Sequence, residues 1–143
     1  MTITVRTTIA APVDQVWAAY TSPQDIIHWN AASDDWHTPS AQVDLRVGGR
    51  FCWRMEARDG SAGFDFEGQY TEIQPRQLIA YRFGDRLARV RFCPEADGTE
   101  VQITFEAEHR HAIEQQRQGW QAILDNFRRH VEARGRNRAG REQ

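Results

Sequence analysis

The sequence predicts an α+β domain of order β-α-α-β(5–6)-α, with a curved antiparallel sheet wrapped around a long C-terminal helix. Three observations predict it. Apolar and polar residues alternate in one N-terminal segment and in five or so segments between residues 51 and 107. Turn signals at Asp59-Gly60, Gly84-Asp85 and Asp97-Gly98 separate these segments, so hairpin follows hairpin and one face stays wet. A long amphipathic segment closes the chain. Its apolar stripe and the sheet's single apolar face must cover each other.

Each element has its own local cause. Ile3, Val5, Thr7 and Ile9 alternate with polar neighbours, the pattern of a half-buried strand. Ala11-Pro12 ends it, and Val13, Val16, Trp17 and Tyr20 then recur at helical spacing. Ser22-Pro23 restarts a helix, with Ser22 as N-cap and Asp25 as a capping-box-like acid. That helix carries Ile26, Ile27 and Trp29. Asn30 to Gln42 is polar and aperiodic and reads as a loop. Period two then sets in: Phe51, Trp53 and Met55; Phe64, Phe66 and Gly68; Ile79, Tyr81 and Phe83; Ala88, Val90 and Phe92; Val101, Ile103, Phe105 and Ala107. The opposite face mixes Arg54, Arg82, Arg89 and Arg91 with Asp65, Glu67 and Glu106, and cross-strand pairs of opposite charge help to fix register. The last helix runs from about Ala112 to Arg134. Ile113, Trp120, Leu124, Phe127 and Val131 share one narrow arc, with Ile123 at its edge.

Composition bounds the function. The chain has 143 residues, 40% hydrophobic and 27% charged, with five Trp, three Tyr and seven Phe. That is one ordinary globular domain, residues 1–134, followed by an Arg-rich tail, 135–143, expected to be disordered. A net charge of −2 excludes a generally basic nucleic-acid binder. No apolar run approaches the ~20 residues of a membrane span. Met1 to Ala11 lacks a basic flank followed by an apolar core, so no secretory signal is expected. Cys52 and Cys93 are too few for a disulfide framework, and a reduced, cytoplasmic setting is the default.

Several segments carry a family resemblance. Ala11-Pro12-Val13-Asp14-Gln15-Val16-Trp17 followed by Tyr20-Thr21 resembles the opening of START-like (SRPBCC) domains. Ile26 to Asn30, Asp44 to Phe51, Phe64 to Tyr70 and Gly119-Trp120 narrow the likeness to the bacterial branch named after the activator of the heat-shock protein 90 ATPase. The resemblance covers residues 3–134. It implies the helix-grip fold of the birch-pollen allergen, with a cavity between sheet and helix. The superfamily includes lipid carriers, hormone receptors, polyketide cyclases and aromatases, so fold alone does not assign an activity.

The candidate ligand-binding residues follow from the inward faces: Phe51, Trp53, Met55, Phe64, Phe66, Tyr81, Phe92 and Phe105 from the sheet, Gln116, Trp120 and Leu124 from the last helix, and Trp29 near the mouth. Gln116 is the polar member. Its helical angle falls inside the apolar stripe, where it either orients a ligand or bonds to a backbone carbonyl. Trp36 is either a lid or a loop anchor. Gly48-Gly49 leads into a strand rather than a helix N-terminus, so it is a turn or bulge and no phosphate cradle. Arg46 is either a counter-charge to an acidic ligand or a surface arginine. His109, His111, Asp34, Asp35 and His37 lack the regularity of a zinc or non-haem iron site. No catalytic residue, metal or cofactor is therefore expected.

The leading expectation is a binding protein for a small hydrophobic or aromatic molecule, because the inward positions carry aromatics and little acid–base equipment. A cyclase or hydrolase acting on an aromatic or polyketide-like substrate is the alternative from the enzyme class, with His28, Tyr81 and Gln116 as proton-transfer candidates. A co-chaperone-like interaction module is the third reading. A homodimer stays open at this stage.

Overall fold

The computed structural model describes the backbone of residues 1–142 and side chains as far as Gly135. The elements in chain order are β1 (Thr2–Ile9), α1 (Val13–Thr21), α2 (Pro23–Trp29), β2 (Trp36–Val43), β3 (Arg50–Ala57), β4 (Gly63–Gln74), β5 (Leu78–Phe83), β6 (Arg86–Glu95), β7 (Gly98–Glu106) and α3 (Ile113–Glu142). The strands form one antiparallel sheet in the order β1-β7-β6-β5-β4-β3-β2. Strands β2 to β7 are a meander, and β1 pairs with β7 after the chain has crossed through α1 and α2. The sheet curls into a half-barrel with α3 against its concave face.

Period two in the sequence becomes one continuous layer of buried side chains. Val5 faces Ile103, Ile103 faces Val90, and Val90 faces Ile79 across four neighbouring strands. Trp53 pairs with Phe66 and Tyr70 with Tyr81 in the same layer. The α3 stripe lies as its spacing requires. Leu124, Phe127 and Val131 are buried, and Ile113, Trp120 and Ile123 are half-buried against the core. On the outer face Arg54 sits opposite Asp65 and reaches it at 3.4 Å, and Arg89 reaches Glu72 at the same distance. Such exposed pairs contribute fractions of a kcal/mol.

Three local expectations need correction. Trp36 to Val43 is a strand, not a loop. It is an edge strand with Pro39 at a register shift, and an edge tolerates a residue that donates no ladder hydrogen bond. Only Thr38 of this strand is buried, so it shows no apolar alternation. The proposed capping box does not form. Ser22 occupies the N-cap of α2 without a side-chain cap bond, and Asp25 is buried and paired with His130 at 2.9 Å and with Arg134. Finally, α3 does not stop near Arg134, because no proline interrupts the following residues and its backbone is helical to Glu142. The side chains of the expected tail lie outside the described residues.

Gly68 has a packing role. The Phe51 ring lies over it, and a Cβ there would sit 2.2 Å from the Arg82 carbonyl oxygen and 2.9 Å from Phe51 Cζ. Backbone cannot yield as a flexible side chain does. Gly68→Ala is expected to lower stability by about 1–3 kcal/mol. A urea midpoint equal to that of the wild type would show that β4 and β5 adapt without cost.

Candidate functional site

A cavity of about 240 Å³ lies between the concave sheet face and α3. Trp120, Ile123, Leu124 and Phe127 form its helical wall. Alternation in β3 and β4 directs Trp53, Met55, Phe64 and Phe66 into it from the opposite side. Tyr81 of β5, Arg86 of β6 and Ile103 of β7 line the floor, while Tyr20, Trp29 and Asn30 close one end. The space exists because aromatic rings packed edge to edge cannot fill the volume under a single helix.

The rings are fixed by one another. Trp120 stacks on Phe105 with centroids 3.9 Å apart, and Phe127 meets Trp29 at 4.8 Å and Tyr20 at 5.4 Å. Trp29 Nε1 donates to the Ala19 carbonyl at 3.0 Å, and the Asn30 amide donates to Thr38 Oγ1 at 3.1 Å. Trp53 differs. Its indole N–H is buried and has no acceptor among the described residues. Phe64 is 48% exposed and tilts against Trp36 at 6.0 Å, which sets these two rings at the rim.

Tyr20 and Tyr81 both contribute their rings to the wall and are buried. Burial pushes both well above the ordinary tyrosine value; Tyr70 raises Tyr20 further while Tyr81 lowers it, and Tyr20 and Tyr70 raise Tyr81 while the Arg86 charge lowers it. Tyr70 is pushed up by burial and then by Asp44. Neither wall phenol is equipped to ionise near neutrality. The Cys52 thiol is raised by partial burial and by Asp65 and Glu67, so it is a poor nucleophile.

Of the residues expected at the site, Trp29, Trp53, Met55, Phe64, Phe66, Tyr81, Trp120 and Leu124 reach the cavity wall. Four do not. Phe51 is covered by Tyr70 and Tyr81, Phe92 packs against Trp17 and Tyr20, and Phe105 is shielded by the stacked Trp120 ring. Gln116 turns away from the cavity to brace the segment before α3. Its Oε1 accepts from Glu108 N at 2.9 Å, and its Nε2 donates to the carbonyls of Glu108 and His111. Helical angle alone pointed it inward, but three backbone groups within reach outcompete an apolar cavity.

The remaining candidates separate. His28 stacks on His130 at 6.0 Å, beside Asp25 and away from the cavity wall. Arg46 is exposed and pairs with Asp44 at 2.8 Å. Gly48-Gly49 forms a turn whose backbone exchanges two hydrogen bonds with Tyr70. His37 lies near Glu56, and His111 bonds to Glu108. Among the described residues no three His, Cys, Asp or Glu side chains form a metal-binding group. The wall residue most in need of prediction was Arg86. Its parity matches that of Ala88, Val90 and Phe92, so period two already placed it on the inward face.

A curled seven-stranded antiparallel sheet gripping a C-terminal helix defines the helix-grip class. Over residues 10–132 the chain matches the family described as activator of Hsp90 ATPase homolog 1-like protein, and it belongs to that family. An AHSA1-like protein from Aeromonas hydrophila superposes with a TM-score of 0.90 at 48% identity, with 94% of each chain covered. A protein from Cytophaga hutchinsonii gives 0.80 at 41%, with 92% of each chain covered. One from Chromobacterium violaceum gives 0.79 at 27%, covering 92% of this chain and 98% of that one. No curated protein matches the chain. No described helix is long and apolar enough to cross a membrane.

Two outcomes follow from this geometry. Gln116→Leu is expected to destabilise the protein by about 1–2 kcal/mol, because it strands the Glu108 N–H and two carbonyls at a partly exposed site. A urea melt at or above the wild-type midpoint would contradict the bracing role. The second concerns alkaline pH. All three tyrosines of the chain, Tyr20, Tyr70 and Tyr81, have raised values in the folded state. Their stabilising contribution is complete below the unfolded value near 10 and is lost as pH climbs above it. Absorbance of tyrosinate is expected to appear only together with loss of circular dichroism. A tyrosine titrating near 10 in protein that is still folded would contradict the burial argument.

Proposed function

We propose that this protein is a cytoplasmic binding protein for a small aromatic or hydrophobic molecule that carries a hydrogen-bond acceptor, held in the cavity beneath α3. The observation that carries this reading is the Trp53 indole: an N–H with no acceptor, on a ring that lines the cavity. A buried unmet donor costs about 1–3 kcal/mol, and an oxygen on a bound molecule removes that cost. The volume supports it. A cavity of roughly 150 Å³ already accommodates benzene, so about 240 Å³ suits a molecule of one or two rings.

Binding is favoured over catalysis by the chemistry of the wall. Its phenols are held neutral, its amide is engaged by Thr38, and His28 lies elsewhere. That leaves a general acid or base without a candidate near neutral pH. The working domain is residues 1–134, and neither nucleic acid nor a cofactor enters the proposal. The thiols of Cys52 and Cys93 are free, which suits a reducing compartment.

The test uses 2-naphthol, a two-ring probe with one oxygen. Calorimetry is expected to give one saturable site, and a nitrogen-resolved spectrum is expected to move the Trp53 indole proton downfield. Ile123→Trp, which fills the cavity from its helical wall, is expected to weaken binding about tenfold or more. No saturable binding by the folded wild type, or binding that ignores Ile123→Trp, would reject the cavity as the site.

A further inference from the structure

Arg86 is the one formally charged residue of the cavity wall among the described residues. Its position is not incidental to strand geometry. It shares the inward parity of Ala88, Val90 and Phe92, all buried, so β6 delivers a guanidinium to a face that is otherwise apolar. The guanidinium carbon lies 4.4 Å from the centroid of the Phe83 ring, and one terminal nitrogen donates to the Glu106 carbonyl at 3.2 Å.

A guanidinium has five N–H donors in a planar fork. Among the described residues one hydrogen bond of Arg86 goes to protein, and that acceptor is a neutral carbonyl. Among the described residues no acid forms an ion pair with it, although Glu108 lies close enough to feel its charge. Glu106 Oε1 accepts from the Leu87 N–H at 2.6 Å. Glu108 takes both the backbone N–H and the ring of His111. Partial burial opposes ionisation of Glu108, but the His111 bonds, and after them the charges of His111 and Arg86, outweigh it and hold its carboxyl below the usual range. A cation beside apolar surface is costly without an anionic partner. The wall holds nothing that would repel one, since Tyr20 and Tyr81 stay neutral.

We propose that the ligand of this cavity is an aromatic carboxylate, its rings seated among Phe66, Tyr81 and Trp120 and its acid group taken by the free edge of Arg86. This rests on the ligand-binding reading above and adds the charge of the ligand and the residue that reads it. Trp53 lies three strands away on β3, so its N–H serves a second oxygen at the far end of the molecule rather than the carboxylate. Arg86 is thus the specificity residue, selecting anion over neutral isostere, while the rings supply affinity for both.

The experiment compares 2-naphthoate with 2-naphthamide, which have nearly the same shape and differ in charge. Binding is measured by calorimetry on wild type, Arg86→Met and Arg86→Lys. The wild type is expected to bind the carboxylate about tenfold or more tightly than the amide, the factor that a charge-assisted hydrogen bond supplies. Arg86→Met keeps an apolar stem and is expected to erase that preference while leaving the amide within about threefold of its wild-type affinity. Arg86→Lys is expected to keep part of the preference. The wild-type comparison stands by itself should Arg86→Met fold poorly. Equal affinities, or a tighter amide, in the wild type would overturn the anion assignment and leave the cavity reading intact. A preference that survives in folded Arg86→Met would overturn the role of Arg86. Failure of both probes to bind would overturn the cavity reading and this inference with it.

Discussion

The structure depends on how α3 is pinned to the sheet by rings at two points. Trp120 lies flat on Phe105, and Phe127 packs edge-on against the stacked rings of Tyr20 and Trp29. The two pins are seven residues apart, about 10 Å along the helix. Aromatic side chains this large hold a helix away from the strands beneath it. Between the pins, Ile123 and Leu124 of the helix and Tyr81 and Ile103 of the sheet line the cavity. Its volume is thus a consequence of the anchoring, and the same contacts that stabilise the helix also keep the space open.

Polar groups fix what the rings leave free. Gln116 ties the start of α3 to the segment that follows β7. Further along, Asp25 of α2 is held by His130 and Arg134 of α3. A buried acid with two cationic or hydrogen-bonding partners gives an orientation that apolar contact alone lacks, since hydrophobic burial is non-directional. These contacts tie α3 to α2 and to the segment after β7 at two separate places.

The interior chemistry is one-sided. Donors outnumber acceptors in the wall: the Trp53 N–H is unmet and the Arg86 fork is largely unspent. The phenols remain protonated because burial opposes their ionisation. A wall of rings with surplus donors suits a guest that brings rings and oxygen atoms. It is poorly suited to moving protons, since its phenols stay neutral and its amide is engaged. Family membership supports the fold and a compatible cavity, while the chemistry of the wall carries the rest.

The sequence by itself determined the strands with strict alternation, both short helices and the stripe of α3, because period two and period 3.6 encode which face meets the core. It also determined eight of the wall residues, including Trp53, Tyr81 and Trp120, since inward parity and cavity parity coincide. It had no power over β2, where only Thr38 is buried and Pro39 sits at a register shift, so no apolar alternation is there to read. Parity names a face and not a depth, so Phe51, Phe92 and Phe105 were indistinguishable from true wall residues until ring packing covered them. Gln116 shows the same limit in a helix: its angle was legible, but the three backbone groups that capture its amide are brought together only by the turn into α3. Arg86 was on the inward parity all along. What tertiary structure alone decided is that no carboxylate of the described chain meets it there, since pairing of charges depends on which strands become neighbours rather than on the order of residues within one.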